Sequence, residues 1–150
     1  MPNWCEGTFK ARGKKADLLR FIKKVLEGHK YTVDDDGYEI EVEDIKSVYV
    51  PGISRLFLIL DEQPYIELNK SKLGGDFQFC CPAKKAWGYK SEELSKLAAE
   101  NHIDIRVDGY ENGLNFEQHI EVTRTGFIRT DSMVSYIDYD WECPMPLLGG

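Results

Sequence analysis

Two amphipathic helix patterns, each following directly on a strand pattern, constrain this chain more than any other feature. In residues 15–26, Leu18, Leu19, Phe21, Ile22, Val25 and Leu26 recur at helical spacing, with Lys14, Lys15, Arg20, Lys23 and Lys24 between or ahead of them. The spacing predicts a helix with an apolar stripe and a basic outer face, ended by Gly28. Before it, Trp4 to Arg12 alternates weakly with Phe9 and Ala11 on one face, a strand pattern closed by Gly13. The same succession recurs further on. Gly74-Gly75 opens a strand pattern over Asp76 to Cys81, which runs into a loop holding Pro82, Trp87 and Gly88. A second helix pattern then covers Lys90 to Asn101, with Leu94, Leu97 and Ala98 on one face. Ser91 is its expected N-cap, and Glu92 and Glu93 suit the positive end of the helix dipole.

The segments around these units are β-rich. In residues 29–72, a turn at Asp34-Asp35-Asp36-Gly37 precedes alternation over Tyr38 to Val42. The runs Ser47 to Val50 and Leu56 to Leu60 follow, with Tyr65 to Leu68 as a short strand or helical turn. This stretch is expected to be a β-rich insertion. After the second helix, Ile103, Ile105 and Val107 alternate as a strand, and residues 109–113 turn the chain. Asn115 to Arg124 returns, Gly126 marks another turn, and Phe127 to Tyr139 continues the β pattern. Residues 143–150, with two prolines and two glycines, are expected to be loosely held. The order β-α-(insertion)-β-α-β-β-β predicts an α+β sandwich, two helices on one face of a mainly antiparallel sheet, and its specific match is the split βαβ, ferredoxin-like arrangement. At 150 residues the chain is expected to form a single domain, burying roughly 68–70% of its unfolded surface.

Composition narrows the function classes. Twenty-six acidic against 19 basic side chains give a net charge of −7, which opposes broad binding to a phosphate backbone and suits a basic protein partner or simple solubility. No apolar run reaches the roughly 20 residues that cross a bilayer, and no basic region leads into an apolar stretch at the start, so a cytoplasmic location is expected. Cys5, Cys80, Cys81 and Cys143 form no CxxC pair and no cluster with histidine at zinc-ligand spacing. Buried reduced thiols are expected, Cys80 and Cys81 facing opposite sides of a strand, with no metal and no cofactor.

Two stretches resemble a known family. Asn3-Trp4-Cys5, the strand residues Phe9 and Ala11, and Gly13 are similar to the opening of the YubB ferredoxin-like-domain family. Ala86-Trp87-Gly88, the helix from Ser91, Ile103 to Val107, Tyr110-Glu111-Asn112-Gly113 and Phe116 resemble its Trp-containing loop, second helix and following hairpin. The two together cover about half the chain; residues 29–72 and those after Gly126 lie outside the resemblance. Gly7-Thr8 and Tyr89-Lys90 depart from the pattern, since members often carry a polar pair at the first place and prolines at the second. The resemblance implies a ferredoxin-like sheet and an origin on phages, plasmids or related mobile elements. It implies no activity.

Each candidate site has a functional and a structural interpretation. Trp87 is either a lock that buries its ring or a binding platform, because indole is large and its N–H needs a partner. Trp4 and Cys5 are read first as anchors of the opening strand. Glu39, Glu41 and Glu43 alternate, so a strand there sets three carboxylates about 7 Å apart on one face. Such a row is either a solvated face or a mimic of nucleic-acid charge. The leading expectation is a non-enzymatic protein of phage or mobile-element origin that binds a host or element protein, with a counter-defence role through an acidic surface as a sub-case. A nucleic-acid-binding module is the first alternative, with Phe77, Phe79, Tyr110 and Phe116 as sheet aromatics. A cysteine- or metal-dependent enzyme is the second, its sharpest form pairing Cys81 with His102 or His119.

Overall fold

The computed structural model describes residues 2–72 and 74–150. Its first unit is β1 (Trp4–Gly13) followed by helix α1 (Lys15–Val25). The stretch 29–72 supplies six short strands: β2 (Tyr31–Val33), β3 (Glu39–Val42), β4 (Ser47–Tyr49), β5 (Leu56–Ile59), β6 (Tyr65–Glu67) and β7 (Asn69–Lys70). The second unit is β8 (Phe77–Ala86), α2 (Ser91–Asn101) and β9 (Asp104–Glu111), extended by β10 (Phe116–Val122) and β11 (Ile128–Ser135). A four-residue helix, α3 (Tyr139–Glu142), precedes the final segment.

Among the described residues the large sheet runs β11-β10-β9-β1-β8-β5-β4, with β7 also on β8, and every neighbouring pair is antiparallel. β8 lies between β1 and β5, and β1 lies between β8 and β9, so neither helix joins adjacent strands. The fold is therefore α+β with mainly antiparallel sheet, as expected. The insertion is not one body. β4, β5 and β7 belong to the large sheet, whereas β2, β3 and β6 form a second, three-stranded sheet.

One face of the large sheet is covered and the other is open. Phe9 stacks on Phe21 of α1 with ring centroids 6.0 Å apart, and on Phe79 at 6.3 Å. Leu94, Leu97 and Ala98 of α2 join the same buried cluster as Ile105, Val107 and Ile120, and Lys24 of α1 donates to Asn101 of α2 at 3.2 Å. Ile40, Val42, Ile66 and Leu68 bring the small sheet into that core. Alternation sends Glu6, Thr8, Lys10 and Arg12 of β1 to the open face, in register with Tyr110, Asp108, Arg106 and Asp104 of β9.

Several boundaries differ from the sequence expectation. The second unit's strand continues to Ala86 instead of stopping at Cys81, and Pro82 lies inside it. β5 pairs with Ala83 to Lys85 and β7 with Phe77 and Gln78, which leaves residues 79–82 paired to β1 alone. A missing N–H is tolerated on such an unpaired stretch. Ser91 is the first helical residue; Lys90 holds the cap position with no side-chain cap bond. β11 stops at Ser135, and a register shift between Glu121 and Val122 inserts Arg129 as a bulge, since Glu121 faces Thr130 while Val122 faces Ile128. Residues 143–150, expected to be loose, fold back on the sheet. Gly150 and Trp4 exchange two backbone hydrogen bonds, of 3.0 and 3.3 Å, and Tyr139 donates its hydroxyl to the Leu148 carbonyl.

Candidate functional site

The two stretches that carry the family resemblance meet at one end of the sheet. Trp4 faces Ala86 across β1 and β8, and the Trp87 N–H donates to the Asn3 carbonyl at 2.9 Å. Asn3 in turn lies against Gly113, and Glu6 faces Tyr110. Cys5 is fully buried, and burial, reinforced by Glu111, pushes its thiol up to about 12. Trp4 sits on the open face, edge-on to Phe57 at 6.0 Å, with the Lys84 ammonium 4.6 Å above its ring. Gly13 closes β1 against Ile103.

Trp87 is 56% exposed and holds φ at +65°, a left-handed conformation that bulky residues rarely adopt. Gly88 follows at φ +92°, where a Cβ would fall 2.9 Å from Gln118 Oε1 and 3.1 Å from Phe116 Cζ. The buried lock is the next residue, Tyr89. Its N–H donates to the Gln118 side-chain oxygen at 2.8 Å, and its carbonyl accepts from the Gln118 amide at 3.0 Å. Gly109 leaves room for Cys5 and for the Tyr89 ring, since a Cβ there would lie 2.4 Å from Cys5 Sγ and 3.4 Å from Tyr89 Cε2. Gln118 thus stands in for a strand partner and fixes the β8-to-α2 junction.

The acidic row is shorter than expected. β3 ends at Val42, so Glu39 and Glu41 share its outer face while Glu43 lies in a bend beyond it. Glu39 faces Glu67 of β6, a like-charged cross-strand pair, and Glu41 faces Tyr65. The aromatics considered for base stacking are also split, because Phe79 and Phe116 are buried in the core and Tyr110 is on the open face.

Cys81 is buried on the helix-covered face, and burial pushes its thiol up to about 12, away from the thiolate form. His119 is on the opposite face of the same sheet, and His102 caps α2 in a left-handed conformation, so the structure assembles no Cys81–His pair. Cys80 is the one exposed cysteine, against the expectation of four buried thiols. Among the described residues, no group of three or more His, Cys, Asp or Glu side chains is placed to hold a metal ion, and no helix is long and apolar enough to cross a membrane.

His119 is clamped between carboxylates. Its Nδ1 lies 2.5 Å from Asp108 and its Nε2 2.7 Å from Glu117, and Tyr136 donates to the other Glu117 oxygen. Burial works against the charged imidazole, but the bonds to Asp108 and Glu117 outweigh it, so the His119 pKa is raised. Burial likewise opposes the Asp108 carboxylate, yet His119 and Arg106 hold its pKa down. The sequence offered His119 as a partner for Cys81 and did not reveal the clamp. The signal available was Glu117-x-His119-x-Glu121 running opposite Arg106-x-Asp108.

Most of the exposed large apolar side chains lie elsewhere. All eight residues of β11 are exposed, and one edge of the strand has no partner among the described residues. Eight of the thirteen exposed large apolar or aromatic side chains described fall between Phe127 and Leu147, among them Phe127 at 65%, Met133 at 57%, Ile137 at 97% and Trp141 at 87%. Asp131, Asp138, Asp140 and Glu142 are interspersed with them, while Arg129, the basic residue there, is held by Glu121 at 3.1 Å. Comparison with family models, with curated proteins and with solved structures returned no match.

Proposed function

We propose that the protein is a protein-binding domain and that β11 with the segment after it, through Trp141, is its binding surface. The observation that carries this is that Ile128, Met133 and Val134 of an unpaired edge strand, and Phe127, Ile137 and Trp141 in the segments flanking it, are all exposed. Isolated exposed apolar residues are ordinary, whereas a contiguous set marks an interaction surface. An open edge also offers a ladder of backbone groups to an added strand. The four carboxylates beside it set the partner's character: an extended segment with basic side chains, which places opposite charges around an apolar contact.

The frame beneath that surface supports a ferredoxin-like reading. The order β9-β1-β8-β5, with α1 after β1 and α2 after β8, follows the split βαβ plan, to which β10, β11, β4 and β7 are additions. The meeting of Asn3-Trp4 with Ala86-Trp87 at one end of the sheet favours kinship with the YubB family, and with it an origin on a mobile element. Glu39, Glu41 and Trp87 are kept as secondary contacts of the same binding role.

The test is a comparison of variants. A protein captured from host lysate is purified, and its affinity is measured for the wild type, for Val134→Lys, for Trp141→Ala and for Glu39→Lys/Glu41→Lys. Losses of at least about tenfold in the first two variants, with little change in the third, are the expected result, since buried aromatic anchors carry more than about 1 kcal/mol each. Affinity unchanged by Val134→Lys and Trp141→Ala overturns β11 as the binding surface. A loss confined to the Glu39/Glu41 variant moves the surface to the small sheet.

A further inference from the structure

The open face carries a hollow of about 370 Å³ at the middle of the large sheet, lined among others by Lys10, Arg12, Arg106, Asn69, Gln78 and Cys80. Its volume is that of a small-molecule site. The strand register decides its charge. Lys10 of β1 faces Arg106 of β9 directly, on the same side of the sheet, which brings two cationic stems to within about 5 Å at their Cβ atoms. Like charges so placed destabilise a sheet, and here they are only half relieved. Arg106 is held by Asp108 at 3.2 Å and Glu121 at 3.5 Å, whereas Lys10 has no carboxylate or hydrogen-bond partner among the described residues. Arg12, one row along, uses its Nε on Asp104 at 3.3 Å and leaves its terminal nitrogens without a bond.

The chain as a whole is acidic, yet three cations converge on this one concave site with an unneutralised ammonium at its centre. The carboxylates present, Asp104 and Glu121, orient the two guanidiniums and are themselves occupied by Arg124 and Arg129 as well. Asn69 and Gln78, cross-strand partners on β7 and β8, contribute amides that both donate and accept. The cations call for an anion; the amides beside them call for hydroxyl groups. We propose that this hollow binds a small phosphate ester bearing hydroxyl groups, its phosphate between Lys10, Arg106 and Arg12 and its hydroxyls toward Asn69 and Gln78. The site is separate from β11 and stands independently of the protein-binding role proposed above.

Cys80 supplies the readout. It faces Lys10 across β1 and β8 and lines the hollow, while the other three cysteines are buried. The rate of Cys80 alkylation by N-ethylmaleimide, a neutral reagent, is followed by mass spectrometry at matched ionic strength. Ribose 5-phosphate is the probe, with inorganic phosphate and ribose as its two halves. Saturable slowing by ribose 5-phosphate at millimolar concentration is expected, weaker slowing by inorganic phosphate, and none by ribose. In Lys10→Gln, which keeps a polar stem on the solvent side of the sheet, the concentration needed is expected to rise at least about tenfold, the loss of one charge-assisted contact. Far-UV circular dichroism and the urea unfolding midpoint report that the variant is folded, and protection is read relative to each protein's own unprotected rate, because Lys10 lowers the Cys80 pKa. Absence of saturable protection by either phosphate compound overturns the proposal, as does equal protection by ribose or an unchanged requirement in folded Lys10→Gln.

Discussion

β1 and β11 belong to one sheet and differ in almost everything that holds them there. β1 has a strand on each side along most of its length and buries Cys5, Phe9 and Ala11 beneath the helices. β11 has a strand on one side and buries none of its residues. The first is fixed by packing, with its ladder bonds sheltered from water. The second is fixed by its ladder, its bulge and a few side-chain links such as Arg129 to Glu121 and Tyr136 to Glu117. Hydrogen bonds contribute modestly once exchange with water is counted, whereas burial of an aromatic side chain contributes several-fold more. Within one sheet, structural necessity therefore sits at the centre and freedom to meet a partner sits at the edge.

Substitutions can break or sharpen that contrast. The largest effect is expected at the centre. Phe9→Ala should cost about 3–5 kcal/mol in urea unfolding, whereas Met133→Ser in β11 should stay within about 0.5 kcal/mol. Equal costs would mean that β11 is packed after all. Gln118→Ala is intermediate: it strips both backbone bonds from Tyr89 at a buried site and should cost about 1–3 kcal/mol. Hydrogen exchange should then show the β8-to-α2 junction opening while β11 is unchanged.

The smallest effect depends on pH. A raised folded pKa at His119 means that its contribution is fully present below the unfolded value, 6.5, and is lost as pH climbs through the folded value. Asp108 runs the other way: its pKa is lowered, so its contribution is present above 3.8 and is lost as pH falls through the folded value. The stability difference between wild type and His119→Gln should thus be greatest between these limits and shrink as pH rises through the folded value of His119. A difference that grows with pH would show that His119 acts as a neutral core residue.

What was legible in the sequence follows the same division. α1, α2, β1 and the first part of β8 were readable because burial imposes a period on the residues that line the core. The Trp87 junction was visible as a feature, but its two readings, lock and platform, stayed open, since an aromatic's identity does not reveal that its backbone turns left-handed and hands the packing to Tyr89. Glu43 was placed on a strand because alternation continues in the sequence after the ladder has ended. The hollow around Lys10 was not readable, for it depends on which residue of β9 faces which residue of β1. The exposure of β11 was hidden for a related reason: its apolar residues resemble those of any strand until it is known that no layer covers them.

The bulge at Arg129 has a consequence for β11 beyond its local geometry. A strand without a buried face lacks the usual penalty against slipping by a residue, because no side chain is driven from the core when it moves. One inserted residue, tied by its guanidinium to Glu121, breaks the translational sameness of the ladder and leaves a single alignment in which the bulge is accommodated. It works as an index mark on an otherwise uniform rail: whatever docks along β11 meets its side chains in one phase.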